Sequence, residues 1–138
     1  FMYCLILTTI TLPNSTETIG ERAFSGCESL TELAIPDSVT TIGDNAFDVC
    51  KSLTELAIPD SVTNIGDNAF GWCTALTTIS IGNSVNEIGD NAFGGCTALT
   101  EVIISDATAK QLNSTWSSPS PVSYSFYGST YTVRFILP

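Results

Sequence analysis

The sequence predicts a solenoid: a chain wound into coils that share one continuous core and lay a parallel β-sheet along one side. Three observations predict it. Leucines at positions 7, 30, 53, 76 and 99 are spaced by 23 residues each time. The segments they open match slot for slot: LTELAIPDSVTTIGDNAFDVCKS from Leu30, LTELAIPDSVTNIGDNAFGWCTA from Leu53 and LTTISIGNSVNEIGDNAFGGCTA from Leu76, with a looser LTTITLPNSTETIGERAFSGCES from Leu7. A fixed period of this length marks stacked repeats, because one such unit cannot bury its apolar face alone. Finally, 43% of the 138 residues are hydrophobic and 13% charged, which suits a continuous core and not a disordered chain.

Each unit is legible slot by slot. The first, fourth and sixth positions are apolar, as in Leu30, Leu33 and Ile35. The third to sixth alternate outward and inward, the period of a strand with one buried face. Pro36 and Pro59 end that strand, because proline has no N–H to give to a ladder. Val39 and Ile42 then turn inward, and Gly43 permits a bend. Asp44 is placed to N-cap a single helical turn carrying Ala46, Phe47 and Cys50. Right-handed coils are expected, with the parallel sheet on the concave face and turns or short helical turns on the other side. Stacked at about 4.8 Å, they align ladders of Leu, Ile, Phe and Cys. Each large apolar side chain contributes roughly 1.5–3 kcal/mol on burial.

The register assigns residues 1–104 to the array: a partial coil 1–6, full coils 7–29, 30–52, 53–75 and 76–98, and a degenerate coil from 99. Phe1 and Cys4 stand 23 residues before Phe24 and Cys27, so the chain is expected to be a piece of a longer array. A signal-peptide remnant is the other account of the apolar stretch Phe1 to Leu7. After Ile104 the pattern decays: Trp116 holds the phenylalanine slot, but Leu112 replaces the glycine and Pro119 the cysteine. Ser114 to Ser123 reads as a loop, and Tyr124 to Leu137 alternates around Gly128-Ser129 like a hairpin. Residues 105–138 are therefore expected to form a small C-terminal β-hairpin-like cap, with a tail leading to another domain as the alternative.

The pattern LTxLxIPxSVxxIGxxAFxxC resembles the BspA-like class of leucine-rich repeats, over residues 1 to about 104 and in four complete coils. The resemblance implies a leucine-rich-repeat solenoid. It also implies a surface-exposed or secreted protein of the kind found in oral and gut bacteria and in a parasitic protist, associated with adhesion to host matrix proteins, cell–cell aggregation and host interaction. The class defines no catalytic residues to carry over, and one member's ligands do not transfer to another, since the repeat slots are structural.

Charge and composition narrow the function classes. Four basic residues against fourteen acidic ones give a net charge of −10 and a pI near 4.1. Such a field repels phosphate backbones and anionic lipid headgroups, so neither nucleic acid nor a membrane surface is an expected partner. No apolar run approaches the roughly 20 residues of a membrane helix, so no membrane insertion is expected. Histidine is absent, which removes the commonest general base and metal ligand. Without a phosphate loop, nucleophile elbow or Cys/His pairing, the chain is expected to be no enzyme and to need no cofactor.

Two repeating series invite chemistry. The cysteines at 4, 27, 50, 73 and 96 lack the close pairs of zinc sites. A ladder of buried thiols is the expected reading, beside disulfides or a metal. Asp44, Asp67 and Asp90 recur in the turn and Glu32, Glu55 and Glu101 in the strand; a calcium ladder is conceivable, but helix caps explain the turn series without one. Asn14-Ser15-Thr16 and Asn113-Ser114-Thr115 are glycosylation sequons that matter only in a secreted eukaryotic protein.

Candidate partner-binding residues are those that break the repeat or face out from it. The slot before cysteine holds Gly26, Val49 and Gly95, yet also Tyr3 and Trp72. Trp72 has no ladder reason to be large, so it is either an interface anchor or packed on a neighbouring turn. The concave sheet is expected to present Thr9, Glu32, Glu55, Thr78 and Glu101 beside Thr11, Ala34, Ala57, Ser80 and Ile103. A shallow face of small side chains with a broken acidic stripe suits an extended protein or glycan of a host or neighbouring cell better than a small molecule. Leu5 and Ile6 replace polar pairs such as Lys51-Ser52, which points to contact with a preceding coil or with another chain. The expected function is a non-catalytic binding or adhesion module. The alternatives are a structural spacer that self-associates through its array ends, and an accessory domain of an enzyme.

Overall fold

Each 23-residue unit forms one coil of a parallel β-solenoid, in a computed structural model that describes residues 1–105, 107–109 and 134–136. The strands along the predicted side are β1 (Thr9–Thr11), β3 (Glu32–Ala34), β5 (Glu55–Ile58), β7 (Thr78–Ile81) and β9 (Glu101–Ile103). A second side carries β2 (Thr18–Ile19), β4 (Thr41–Ile42), β6 (Asn64–Ile65) and β8 (Glu87–Ile88). All pairings are parallel and join equivalent slots, as in Ile42 with Ile65 and Leu56 with Ile79. The second sheet runs unbroken as β2-β4-β6-β8, whereas the first falls into a β1-β3 pair and a separate stretch through β5, β7 and β9. Beyond β9 lies β10 (Arg134–Ile136), also parallel, with Arg134 opposite Glu101. One arm of the expected hairpin thus adds a further rung to the solenoid sheet. The other arm lies outside the described residues, as do the expected loop with Trp116 and the sequon at Asn113 before it.

Burial follows the slots. Leu30, Leu53, Leu76 and Leu99 are fully buried, as are Val39, Val62 and Val85 and the phenylalanines Phe47, Phe70 and Phe93. The rings of Phe1, Phe24, Phe47, Phe70 and Phe93 form a continuous stack, with centroids 5.3–5.7 Å apart and planes within 10° of parallel. Hydroxyls repeat with the same period: Thr31, Thr77 and Thr100 each donate to the carbonyl of the threonine one coil back, Thr8, Thr54 and Thr77.

The turn side holds turns, one of the two forms expected there, and not the helical turn that Asp44 was expected to cap. No helix forms over residues 43–50, and Asp44 does not cap its own turn. Its Oδ1 accepts the backbone N–H of Asp67 in the next coil at 2.9 Å, and Asp67 accepts that of Asp90 at 2.7 Å. The backbone explains why. Asn45 and Val49 have φ of 55° and 63°, and these left-handed residues interrupt any helical run. They aim N–H groups along the solenoid: Asn45, Phe47 and Val49 donate to the carbonyls of Asp67, Ala69 and Gly71. A third ladder of hydrogen bonds therefore replaces the helix. Asparagine tolerates this conformation and recurs at 45, 68 and 91. A β-branched valine does not, and strain of this kind costs on the order of 1–3 kcal/mol per residue.

Candidate interaction surfaces

The strands of the first sheet leave their odd-slot side chains free. Register places Thr9 opposite Glu32, Glu55 opposite Thr78 and Thr78 opposite Glu101. Glu32 and Glu55 are exposed; Thr78 and Glu101 are half-buried. Between them runs an open depression of about 610 Å³, bordered by Thr31, Glu32, Thr54, Glu55, Thr78 and Ser80. Among the described residues neither Glu32 nor Glu55 takes part in an ion pair; the two bridges present join Arg22 to Glu21 and Lys51 to Glu28. The face therefore offers uncompensated carboxylates and hydroxyls over a small-residue floor that includes Ala57. A second hollow of about 390 Å³ lies among Pro59, Asp60, Gly82, Asn83, Ile104 and Ser105.

The six candidate residues do not gather into one site. Glu32, Glu55, Thr78 and Glu101 share the sheet, and all but Glu101 border its depression; Tyr3 and Trp72 sit on the turn side and border neither hollow. Trp72 is 60% exposed and Tyr3 71%. Both adopt the left-handed backbone, with φ of 54° and 57°. A Cβ built on Gly95 would lie 2.8 Å from the Trp72 indole, and one on Gly26 would lie 2.5 Å from the Tyr3 ring. Each aromatic thus leans onto the glycine of the next coil. For Trp72 this is the packing on a neighbouring turn that the sequence offered beside an interface anchor; in the slot that holds Tyr3 and Trp72, the residue 23 positions on is glycine both times.

The cysteine ladder lies in the core. Cys27, Cys50, Cys73 and Cys96 are free thiols with no exposed surface. Each donates to the carbonyl of a phenylalanine-slot residue in the preceding coil, at 3.2–3.5 Å. Burial pushes the Cys50 thiol up to about 12, and the adjoining Cys96 thiol together with burial holds Cys73 well above its ordinary value. The thiolate is the reactive form; burial raises Cys27 too, while the hydrogen bond with Cys73 lowers Cys96. All four lack exposed surface, so they are expected to resist a thiol reagent in the native protein and to react once it is denatured. Cys4, only partly covered, should react first. Mass-resolved labelling checks both rates, and four cysteines that stay unreactive in denaturant without reductant would mean disulfides instead. Among the described residues there is no group of three or more His, Cys, Asp or Glu side chains that could hold a metal ion.

Period, sheets and buried ladders together define a leucine-rich-repeat solenoid. The family model for the BspA type leucine rich repeat region matches residues 1–120 in six copies, so the chain belongs to that family. Three solved structures are similar. A leucine-rich repeat protein from Bacteroides ovatus shares 31% identity with a TM-score of 0.80, over 100% of this chain and 32% of its own. The leucine rich repeat protein of T. pallidum shares 38% with a TM-score of 0.73, over 75% and 49%. A leucine rich cell surface protein from Faecalibacterium prausnitzii shares 33% with a TM-score of 0.55, over 74% and 34%. The chain therefore spans a third to a half of these proteins. Among curated protein sequences nothing matches.

Proposed function

We propose that the chain is a non-catalytic recognition module of a cell-surface or secreted protein, and that its concave sheet receives an extended, basic segment of a host or neighbouring-cell protein. One observation carries the reading: Glu32, Glu55, Thr78 and Glu101 stand in one slot of successive coils, and the two exposed carboxylates face outward over an open depression with no cationic partner among the described residues. Charges displayed this way steer a cationic partner and fix its register. An open polar trough suits a long ligand better than an enclosed small molecule. The similarity to a protein described as a cell surface protein supports the location.

The test is retention on a panel of immobilised matrix proteins at low and high salt. Wild type is expected to be held by at least one of them, more weakly as salt rises. The Glu32→Gln/Glu55→Gln pair is expected to lose most of that retention while unfolding at the same midpoint. Retention that ignores both salt and the substitutions would refute the assignment of the site. A second reading, a spacer that self-associates through its array ends, is favoured by the way each coil's backbone N–H groups bond to the next coil at equivalent slots, as Asn45, Phe47 and Val49 do. Absence of any retained partner, together with concentration-dependent assembly in sedimentation, would select it.

A further inference from the structure

We propose that Trp72 and Tyr3 are stacking platforms for a neutral, hydroxyl-rich glycan, forming a second site that does not depend on the concave face. The two rings share a slot and lie three coils apart, about 14 Å at the usual strand spacing. Each leans on the glycine of the next coil. Three atoms of the Trp72 indole lie 2.8–3.2 Å from where a Gly95 Cβ would sit, and three of the Tyr3 ring lie 2.5–3.3 Å from the corresponding point on Gly26. The nearest Trp72 atoms include the two at the ring fusion, which only a face of the indole can bring to that point, whereas Tyr3 meets Gly26 along the Cγ–Cδ1–Cε1 side of its ring. Resting on backbone fixes the ring's attitude, and the exposure of both residues leaves the rest of each ring open to solvent.

Neither ring is needed for the core, which the phenylalanine stack already fills. Both also occupy left-handed positions where glycine serves at 26 and 95. A large side chain kept where a small one relieves strain points to a use outside folding. The face of an aromatic ring carries partial negative charge and attracts the C–H face of a pyranose. Tryptophan and tyrosine also offer that area at low entropic cost, having only two side-chain torsions to fix. The net charge of −10 argues against sulfated or uronate-rich chains and leaves neutral sugars. Hydroxyls for the sugar's own hydroxyl groups stand two residues after the slot, at Thr74 and Thr97. An extended β-linked glycan advances by about one ring per coil rise, so one chain can lie across both platforms.

The experiment titrates ¹⁵N-labelled protein with cellohexaose, with chitohexaose and with an oligouronate of the same length. Trp72 and Trp116 are the two tryptophans, and Trp72→Phe assigns their indole signals. At least one neutral hexasaccharide is expected to shift the Trp72 indole, and the oligouronate is not. Trp72→Gly should weaken that binding by roughly tenfold or more, as loss of a central anchor does. Tyr3→Gly should weaken it less, and Trp72→Tyr should retain most of it. The Glu32→Gln/Glu55→Gln pair should bind sugar as wild type does, which separates this site from the concave one. Thermal unfolding confirms that each variant is folded. The proposal is overturned if neither neutral sugar shifts the indole, if Trp72→Gly binds as wild type, or if the oligouronate binds equally well. Loss of matrix-protein retention in Trp72→Gly, without sugar binding by wild type, would make the ring a protein anchor and overturn it too.

Discussion

Phe47→Ala is expected to destabilise the protein by about 3–5 kcal/mol, the usual range for emptying a buried phenylalanine site. Phe47 is fully buried and lies 5.3 Å from the rings on both sides. Truncation opens a void in the middle of the stack and removes two aromatic contacts, each worth roughly 0.5–1.5 kcal/mol beyond area. Neighbouring coils are tied at Phe24 N–H to Ala46 O and at Phe47 N–H to Ala69 O, both 2.8 Å, so they cannot collapse into the void without losing those bonds. Glu55→Ala, on the exposed side of β5, should stay within about 0.5 kcal/mol of wild type, as surface changes generally do. Denaturant unfolding of the two variants gives the comparison, and equal losses would mean that the inward and outward slots have been exchanged.

Gly66→Ala is expected to be the other severe change, at the upper end of the roughly 1–3 kcal/mol of overpacking or beyond it. A Cβ there would press on the Asp44 carboxylate, 2.6 Å from the Asp44 backbone nitrogen and 2.7 Å from the carbonyl carbon of Gly43. These are main-chain atoms of the preceding coil, so relief requires the coils to separate and strains the Ile42–Ile65 pairing beside them. The fault is steric, since Gly66 does not need the left-handed backbone. Gly20 occupies the same slot with nothing within 4 Å of its Cβ position. Gly20→Ala should therefore be neutral or raise stability by about 0.4–1 kcal/mol, through the loss of unfolded-chain freedom. Thermal midpoints of the two alanine variants decide the matter; matching shifts would show that close stacking is not what this glycine serves.

What sequence alone made legible was whatever repeats within one unit. The Leu, Val, Phe and Cys ladders could be read from spacing, because a 23-residue period brings like residues together whatever the local backbone does. The outward row Glu32, Glu55, Thr78 and Glu101 followed from strand alternation. Two features escaped for physical reasons, and a third was left open. The strands at Thr41–Ile42 and its equivalents are two residues long, too short for any period to register. The bond from Asp44 to Asp67 uses the same side-chain chemistry as a helix cap, and only the left-handed residues at 45 and 49 exclude the cap. The sequence left open whether Trp72 packs on a neighbouring turn or anchors an interface, because its seating on Gly95 joins residues 23 apart through space and no local propensity encodes such a contact.

The concave carboxylates are proposed as the surface that meets a protein partner. Carbodiimide footprinting, read carboxylate by carboxylate, tests that most directly, with the chain free and then bound to whichever matrix protein retains it. Glu32, Glu55 and Glu101 are expected to lose labelling in the complex while Asp44, Asp67 and Glu87, away from that face, label as before. Protection confined to the turn and second-sheet carboxylates, with Glu32 and Glu55 still labelled, would contradict it.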